Sequence, residues 1–439
     1  MSRASLDWLT GPASALSGEL AIPGDKSVSH RAVMLAALAE GTSRIHGFLE
    51  AADTRATAAI MQQLGVSIET PEPGKRIVHG VGLHGLRASD RELDCGNSGT
   101  AMRLLAGLLA GQAFDSILVG DASLSRRPMQ RIADPLGQMG ARIALQESGC
   151  PPLRIGGGRP LQGMACRPPM ASAQVKSAIL LAGLYARGET SVHEQRPTRD
   201  YTERMLEAFG WPIDYSPGRA ALRGGHALRA CDIAVPADFS SAAFFVVAAS
   251  MVPGSELTMR GVGLNPRRTG LLQVLRLMGA DIVVKNRRVL AGEPLGDLQV
   301  RYAPLTGIDV PTEHVSDMID EFPALFVAAA GAHGTTRVRG ARELRVKESD
   351  RIAVMAAGLR ELGVRVDETE DGADIHGCAG GFAAAEVDSH GDHRIAMAFV
   401  VAGALARGSL RIADCGNVET SFPAFAQVAA RCGLVLRTA

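Results

Sequence analysis

Cations and hydroxyl groups are concentrated where this sequence predicts helices to begin. Residues 23–31 read Pro-Gly-Asp-Lys-Ser-Val-Ser-His-Arg, and a run of small apolar residues follows them. A Pro-Gly turn before hydroxyl residues predicts the end of a strand and a capped helix with outward-pointing N–H groups. Lys26 precedes this helix, and Arg31 shares a helix face with Ser27, so the segment suits an anion. A capped surface helix with two solvated cations is the alternative.

Similar polar groups recur along the chain. The Gly-flanked turn at residues 96–100 can bring backbone N–H groups, including that of Gly99, close to an anion. Ser172 and Gln174 suit hydroxyls and phosphate or, alternatively, plain helix capping. The cations at predicted helix starts are Lys26, Arg31, Arg127, Arg199, Lys347, Arg351 and Arg394. Lys347 and Arg351, four residues apart, are predicted to share a helix face. Surface salt bridges, and an exposed ion-pair ladder for the last two, are the competing interpretations.

Two carboxylates stand among these cations. Asp317 is the first of three acids, with Asp320 and Glu321, at the head of an apolar helix, and Glu348 lies three residues before Arg351. Helix capping accounts for one or two of the three acids. Asp317 is the best candidate for proton transfer in a partly desolvated cleft. Seven cations around two acids predict a site for phosphorylated and carboxylated small molecules, with a proton donor and an acceptor between them.

Composition excludes several other classes of protein. The formal net charge over 439 residues is zero, so no bulk field attracts nucleic acid or an acidic membrane. The seven cysteines lack any CxxC pair, which favours reduced thiols in a cytoplasmic protein. The longest apolar runs are too short for a membrane span. The His-x-Asp-His sequence at 390–393 lacks a third ligand at helical spacing, so a turn that presents Arg394 is favoured over a metal site.

The elements that must position these residues repeat six times. Each repeat has a polar turn and a helix of small apolar residues, at periods of roughly 65–80 residues. These segments are Pro23–Leu38, Cys95–Leu109, Met170–Tyr185, Val235–Met251, Val310–Ala330 and Ser389–Leu405. A second helix that ends in glycine follows each of them. These second helices are Arg55–Leu64, Pro128–Met139, Thr202–Phe209, Thr269–Met278, Asp350–Leu362 and Phe422–Cys432.

With strands between the helices, each repeat becomes a βαβαββ unit, which predicts an α/β fold. We expect two domains of three units each, with the helices packed inside and the sheets outside. One domain would comprise residues 1–22 and 237–439, and the other residues 23–236. The active site is expected in the cleft between them, lined by helix starts from both.

Four motifs of this sequence closely resemble those of 5-enolpyruvylshikimate-3-phosphate (EPSP) synthases. They lie at 23–31, at 96–103 (Gly-Asn-Ser-Gly-Thr-Ala-Met-Arg), at 345–351 (Arg-Val-Lys-Glu-Ser-Asp-Arg) and at 392–397 (Asp-His-Arg-Ile-Ala-Met). The resemblance runs from about residue 18 to the C-terminus. It implies two inverse α/β domains, pseudo-sixfold repetition, and transfer of the enolpyruvyl group of phosphoenolpyruvate to shikimate 3-phosphate in aromatic amino acid biosynthesis. It implies no metal or organic cofactor, no nucleic acid or membrane partner, and a cytoplasmic monomer.

Carried over by motif, the resemblance assigns the site residues. Shikimate 3-phosphate would contact Lys26, Ser27, Arg31, Ser172, Ala173, Gln174, Arg199, Asp317 and Lys347. Phosphoenolpyruvate would contact Lys26, Gly99, Arg127, Gln174, Arg351 and Arg394. Asp317 resembles the family's proton acceptor, and Glu348 the acid that protonates the methylene carbon, assisted by Lys26.

Departures from the common family pattern concern the inhibitor glyphosate, for which these enzymes are the target. Ser-Ala-Gln at 172–174 and Thr420 resemble a bacterial subgroup that is tolerant in part, whereas Gly99 is usual in sensitive enzymes. Two alternatives remain: an enolpyruvyl transferase acting on UDP-N-acetylglucosamine, and a non-catalytic anion-binding protein. The segment 120–127 lacks the cysteine expected for the first. Retention of two acids argues against the second.

Overall fold

The computed structural model describes residues 6–290 and 292–439, and its chain divides into two compact units. The 24–236 unit comprises Gly24–Pro236 together with Val289–Glu293. The 237–439 unit comprises the chain up to Pro23, Ala237–Arg288 and Pro294–Ala439. The chain first passes from one unit to the other after Pro23, one residue later than the predicted boundary. The short segment Val289–Glu293, which the sequence placed with residues 237–439, belongs to the other unit.

The elements follow the predicted order of strand and helix. The chain begins with β1 (Trp8–Gly11) and β2 (Ser17–Leu20) of the 237–439 unit. The helices of the 24–236 unit are α1 (Lys26–Leu38), α2 (Ala52–Gln63), α3 (Gly99–Leu109), α4 (Gln130–Gln138), α5 (Ala173–Gly183) and α6 (Tyr201–Ala208). Its strands are β3 (Ala39–His46), β4 (Ser67–Glu69), β5 (Lys75–Val81), β6 (Leu93–Asp94), β7 (Ser116–Val119), β8 (Arg142–Ala144), β9 (Leu153–Gly156), β10 (Ala165–Cys166), β11 (Glu189–His193), β12 (Ile213–Ser216), β13 (Arg219–Arg223), β14 (Leu228–Arg229) and β15 (Ile233–Ala234).

The rest of the chain completes the 237–439 unit. Its helices are α7 (Phe239–Met251), α8 (Gly270–Leu277), α9 (Phe322–Gly331), α10 (Arg351–Glu361), α11 (His393–Gly403) and α12 (Phe425–Cys432). Its strands are β16 (Glu256–Gly263), β17 (Asp281–Leu290), β18 (Glu293–Arg301), β19 (Thr335–Val338), β20 (Arg365–Thr369), β21 (Gly372–His376), β22 (Ala385–Asp388), β23 (Leu410–Ala413) and β24 (Val435–Thr438).

Each unit has three small sheets, one for each repeat. In the 24–236 unit their orders are β14–β3–β5–β4, β6–β7–β9–β8 and β10–β11–β13–β12, and β15 also pairs with β3. The first pair of each sheet is parallel, with Leu93 opposite Leu118 in the second sheet, and the later pairs are antiparallel. A parallel pair needs a helical crossover, so this order follows from the βαβαββ sequence of elements.

The 237–439 unit recruits strands from the beginning of the chain. Its sheets have the orders β17–β18–β16–β2, β19–β21–β20 and β22–β23–β1–β24. Strand β2 runs parallel to β16, with Leu20 opposite Met259. Strand β1 lies antiparallel between β23 and β24, where Trp8 faces Ile412 on one side and Thr438 on the other.

The first helix of each repeat lies in the core. All residues of α7 are buried, and α1, α3, α5, α9 and α11 are buried along most of their length. A helix that is apolar on every side must be covered on every side, whereas the second helices bury one face. The described part of the chain contains no helix with both the length and the apolar character needed to cross a membrane.

The predicted helix ends are confirmed by six glycines. A glycine one or two residues after each second helix has a positive φ of between 78° and 101°, a conformation that glycine adopts without strain. These residues are Gly65, Gly140, Gly210, Gly279, Gly363 and Gly433. The α/β fold with six repeats is therefore confirmed, and it places the N-terminus of a buried helix in each repeat.

Candidate active site

Arg31 is a buried cation in the 24–236 unit. Its Nε donates to Thr202 Oγ1 at 2.7 Å, and its Nη2 donates to Ser177 Oγ at 2.8 Å. Its Nη1 donates to the carbonyl oxygen of Ser27 at 3.0 Å. Burial, together with the neighbouring charge of Arg199, lowers the pKa of Arg31 to about 10. Within the described chain its hydrogen-bond partners are thus hydroxyl and carbonyl oxygens, and its charge is suited to an added anion.

The start of α1 differs in one respect from the sequence prediction. The capping side chain is Asp25, whose Oδ1 accepts from the backbone N of Val28 at 2.9 Å, so the prediction that hydroxyls cap this helix is wrong. A carboxylate caps as well as a hydroxyl and also favours the helix dipole. Lys26, the first residue of α1, forms an ion pair with Asp53 of α2. Ser27 is therefore not required for capping.

Gly99 opens α3 beside two guanidinium groups. A Cβ atom at this position would lie 2.9 Å from Arg103 Nη1 and 3.3 Å from Arg127 Nη1. Arg103 Nη1 donates to Gln174 Oε1 at 2.7 Å, and Gln174 Nε2 donates to Thr100 Oγ1 at 2.9 Å. The start of α3, the start of α5 and Arg127 are thereby brought together, as the sequence required of residues 99, 127 and 174.

Arg127 and Ser172 are held by local contacts. Arg127 is buried, and its Nη2 donates to Asn97 Oδ1 at 2.7 Å and to Ser123 Oγ at 3.3 Å. Ser172 caps α5 by accepting from the backbone N of Val175 at 3.5 Å. Ala173 is the first residue of that helix. Capping was the alternative for Ser172, and the structure shows that it performs this role.

Arg351 in the 237–439 unit is surrounded by carboxylates. Its Nε donates to Asp392 Oδ2 at 2.7 Å, its Nη2 to Glu348 Oε2 at 2.7 Å, and its Nη1 lies 3.6 Å from Asp320 Oδ1. Burial alone would lower the pKa of Arg351, but the charges of Asp392 and Glu348 outweigh burial and raise it. Glu348 and Arg351, both predicted from the sequence, are therefore in direct contact.

Asp317 lies in a short 3-10 turn, Ser316–Met318, and not within the apolar helix, which begins at Phe322. It is buried, and its Oδ2 lies 3.3 Å from Arg267 Nη1. Arg394 Nη1 donates to the carbonyl oxygen of Asp320 at 3.1 Å. The turn at 316–321 therefore carries the candidate proton acceptor near one end, and near its other end it contacts Arg394, a candidate residue for binding phosphoenolpyruvate.

Lys347 departs most from the sequence prediction. Helix α10 begins at Arg351 and is capped by Asp350, which accepts from the backbone N of Ala353 at 3.0 Å. Lys347 therefore precedes the helix, and the prediction that Lys347 and Arg351 share a helix face is wrong. Its Nζ donates to Glu343 Oε1 at 2.7 Å.

Sequence reasoning missed Arg268. This buried residue donates from Nη1 to Asp320 Oδ2 at 3.0 Å and lies 3.3 Å from Glu321 Oε1, while its Nη2 donates to Ser240. It supplies the countercharge for acids that the sequence had interpreted as caps. Two arginines shortly before an apolar helix were the available signal, because Arg126 and Arg127 precede α4 in the same way.

In the described residues, no three or more His, Cys, Asp and Glu side chains are grouped so that they could hold a metal ion.

The chain matches the model of the EPSP synthase (3-phosphoshikimate 1-carboxyvinyltransferase) family over residues 10–429. The chain belongs to this family. The EPSP synthase family transfers the enolpyruvyl group of phosphoenolpyruvate to shikimate 3-phosphate.

Relatives along the whole chain agree with this assignment. The 3-phosphoshikimate 1-carboxyvinyltransferase of Xanthomonas campestris pv. campestris is 65% identical over 436 residues, which are 99% of each chain. That of Xanthomonas axonopodis pv. citri is 65% identical over 439 residues, 100% of this chain and 99% of its own. The solved EPSP synthase of Acinetobacter baumannii is 50% identical with a TM-score of 0.89, covering 99% of this chain and 100% of its own. The enolpyruvyl transferase NikO of Streptomyces tendae shares the fold. It is 17% identical with a TM-score of 0.80, covering 100% of this chain and 99% of its own.

Proposed function

We propose that the side chains described in the two units act together as one active site. The chain transfers the enolpyruvyl group of phosphoenolpyruvate to the 5-hydroxyl of shikimate 3-phosphate and releases phosphate, the reaction of its family. The observation that best supports a shared site is that a buried cation and the candidate acids belong to different units. Arg31 in one unit is buried without a carboxylate among its hydrogen-bond partners, whereas the candidate acids Asp317 and Glu348 belong to the other unit.

Shikimate 3-phosphate is proposed to bind mainly to the 24–236 unit. Its phosphate dianion would satisfy the charges of Arg31 and Arg199, which disfavour one another while no anion is present. Hydroxyl and amide groups at the start of α5 suit the ring hydroxyls. The proposed contacts are Lys26, Ser27, Arg31, Ser172, Ala173, Gln174 and Arg199, with Asp317 and Lys347 from the 237–439 unit.

Phosphoenolpyruvate carries a phosphate and a carboxylate, so it needs cations on more than one side. The proposed contacts are Lys26, Gly99, Arg127 and Gln174 of the 24–236 unit, with Arg351 and Arg394 of the 237–439 unit. Absence of a side chain at Gly99 leaves room beside Arg127. Arg351 is already paired with Glu348, so an arriving anion competes with that carboxylate.

The proposed chemistry is an addition followed by an elimination. Asp317 accepts the proton of the attacking hydroxyl, whose oxygen bonds to C2 of phosphoenolpyruvate, while Glu348, assisted by Lys26, protonates the methylene carbon. The resulting tetrahedral intermediate then loses a proton from its methyl group to the Glu348 carboxylate, which gave up its proton in the addition, and expels phosphate, so that the double bond is restored. Cations around the departing phosphate stabilise the developing charge.

Each unit is further proposed to be a domain, with both contributing to every turnover. A single chain in the cytoplasm would suffice for this reaction, because every group in the scheme belongs to one chain.

The assay is phosphate release by the purified chain. We expect release only when phosphoenolpyruvate and shikimate 3-phosphate are both present, and none with either alone. Release with UDP-N-acetylglucosamine in place of shikimate 3-phosphate would overturn the proposal. Asp317→Asn should bind shikimate 3-phosphate within about threefold of the parent but lose at least 10²-fold in kcat. A small drop in kcat would make Asp317 a structural turn residue.

A further inference from the structure

We propose that Arg267 is a positioning residue for the proton acceptor Asp317, holding its carboxylate ionised and in a fixed orientation. This inference rests on the proposed role of Asp317. It concerns a residue that none of the sequence motifs included.

A rigid turn delivers Arg267. Asn265 is buried, and its Oδ1 accepts from the backbone N of Arg267 at 2.8 Å. Its carbonyl oxygen accepts from the backbone N of Arg268 at 2.8 Å and from Thr269 Oγ1 at 3.1 Å. These three hydrogen bonds to Asn265 hold the backbone from 265 to 269 in place independently of the partners of the two arginine side chains.

The two adjacent arginines serve different acids. Arg268 is buried and pairs with Asp320 and Glu321 at 3.0 Å and 3.3 Å. Arg267 instead reaches Asp317 Oδ2 at 3.3 Å. Since Arg268 already supplies a countercharge to the acids at the start of α9, Arg267 can act on Asp317.

The backbone also fixes the distance between the two groups. Gly270, the first residue of α8, packs directly on the turn that carries Asp317. A Cβ atom there would lie 2.8 Å from the carbonyl oxygen of His314 and 3.2 Å from the carbonyl carbon of Asp317. Only a glycine permits this approach, so the start of α8 and the Asp317 turn form one packed element.

The pair opens on a cavity of about 430 Å³ within the 237–439 unit. Asp317 and Arg267 both line it, and the Arg267 side chain is 30% exposed. The other charged or titratable side chains that line this cavity are Arg276, Arg287, Glu313 and His314. Arg267 and Asp317 therefore form an ion pair at the wall of this cavity.

A nearby guanidinium favours the charged form of a carboxyl group and lowers its pKa, by about one to three units in well-formed pairs. Partial exposure of Arg267 reduces this effect toward the lower end of the range and makes the pair minor for stability. Its value lies in catalysis, because a protonated Asp317 cannot accept the hydroxyl proton.

The test is the pH profile of kcat for Arg267→Gln. We expect kcat at neutral pH to fall about tenfold, both KM values to stay within about twofold, and the acidic limb to move upward by about one pH unit. Arg267→Lys, which keeps the charge, should return the limb toward the parent. Arg276→Gln is the matched control, since Arg276 lies in α8, directly after the turn that carries Arg267, and lines the same cavity but donates to the carbonyl oxygen of Ile282 at 3.3 Å.

A merely structural role predicts a lower Tm for Arg267→Gln with an unmoved acidic limb, and that result would overturn the inference. The Asp317→Asn variant separates this failure from that of the proposed function. If it keeps its turnover, Asp317 is not the proton acceptor. If it loses turnover while the Arg267→Gln limb stays in place, Asp317 acts without Arg267.

Discussion

The buried guanidinium of Arg351 donates from Nε to Oδ2 of Asp392 at 2.7 Å, and both side chains are inaccessible to solvent. Arg31, the sixth residue of α1, instead donates to the hydroxyls of Thr202 and Ser177. Two buried arginines that the sequence both placed at helix starts therefore differ in charge compensation. A buried charge without a direct counterion costs stability that a bound anion can restore.

This contrast predicts the behaviour of Arg31→Met. Without ligand, its Tm should equal or exceed that of the parent, because an apolar side chain replaces a buried cation that has no carboxylate among its hydrogen-bond partners. Shikimate 3-phosphate should raise the Tm of the parent and leave the variant unchanged. The control is Arg76→Met, which breaks a partly buried ion pair with Glu50 at 2.8 Å and should lower the Tm while keeping the ligand shift. Thermal unfolding with and without ligand measures both; a preserved ligand shift in Arg31→Met would contradict the assignment.

Gly99→Ala should act on phosphoenolpyruvate alone. The added methyl group would lie 2.9 Å from Arg103 Nη1 and 3.3 Å from Arg127 Nη1, so both guanidinium groups must shift. We expect KM for phosphoenolpyruvate to rise roughly tenfold, or about 1.4 kcal/mol, with KM for shikimate 3-phosphate within about twofold of the parent. Gly137→Ala in α4 is the control, because a Cβ atom there meets nothing within 4 Å. Equal changes in both KM values would show general damage to the site.

Lys176 is a buried cation that the proposed mechanism does not use. Its Nζ lies 3.0 Å from Glu194 Oε2 and 2.8 Å from Glu203 Oε1, and although burial opposes the charged form, the two carboxylates raise the pKa of Lys176. Lys176→Met should lower the free energy of unfolding by about 3–5 kcal/mol, because it leaves buried carboxylates without their cation. Denaturant unfolding measures the loss.

The tryptophans allow this measurement on one unit. The chain has two, Trp8 and Trp211, so a Trp8→Phe background leaves Trp211 to report the 24–236 unit. Lys75→Met, which removes an exposed ion pair with Glu72, should cost less than about 1 kcal/mol. A Lys176→Met loss as small as that of the control would contradict a structural role for the buried cluster.

His30 should make stability depend on pH. Burial, and the charges of Lys26 and Arg31, hold the pKa of His30 well below 6.5. Below pH about 6.5 the unfolded chain binds a proton that the folded chain does not, so stability is lost as the pH falls. His30→Gln should remove up to about 1.4 kcal/mol per pH unit of this slope, measured by unfolding through Trp211 between pH 7 and 5. His46→Gln, which removes an exposed imidazole of β3, is the control; an unchanged slope in His30→Gln would contradict the prediction.

Local features of the sequence were sufficient for the helices. Glycine after each second helix predicted where Gly65 and Gly433 would take a left-handed conformation, because that preference depends on one residue. Caps were harder, since Asp25 and Ser27 are both good caps and only the backbone geometry decides between them. Lys347 was misplaced for the same reason: the cap at Asp350 starts α10 after it.

Partners that are distant in the chain could not be predicted from spacing. Arg268 pairs with Glu321 across the packing of α8 on the turns before α9, and periodicity carries no information about that pairing. The carboxylates around Arg351 were individually visible, but their convergence on one guanidinium depends on how the fifth and sixth repeats pack. The proposed assignment of substrate contacts accordingly came from the family motifs.

Strand β1 lies between β23 and β24, the first and last strands of the chain being neighbours in one sheet. During translation the N-terminal strand leaves the ribosome long before either neighbour exists. The 24–236 unit, whose strands apart from residues 289–293 are contiguous in sequence, can complete its sheets while synthesis continues. The 237–439 unit must wait for its final residues, so the order of synthesis dictates which half of the enzyme can fold first.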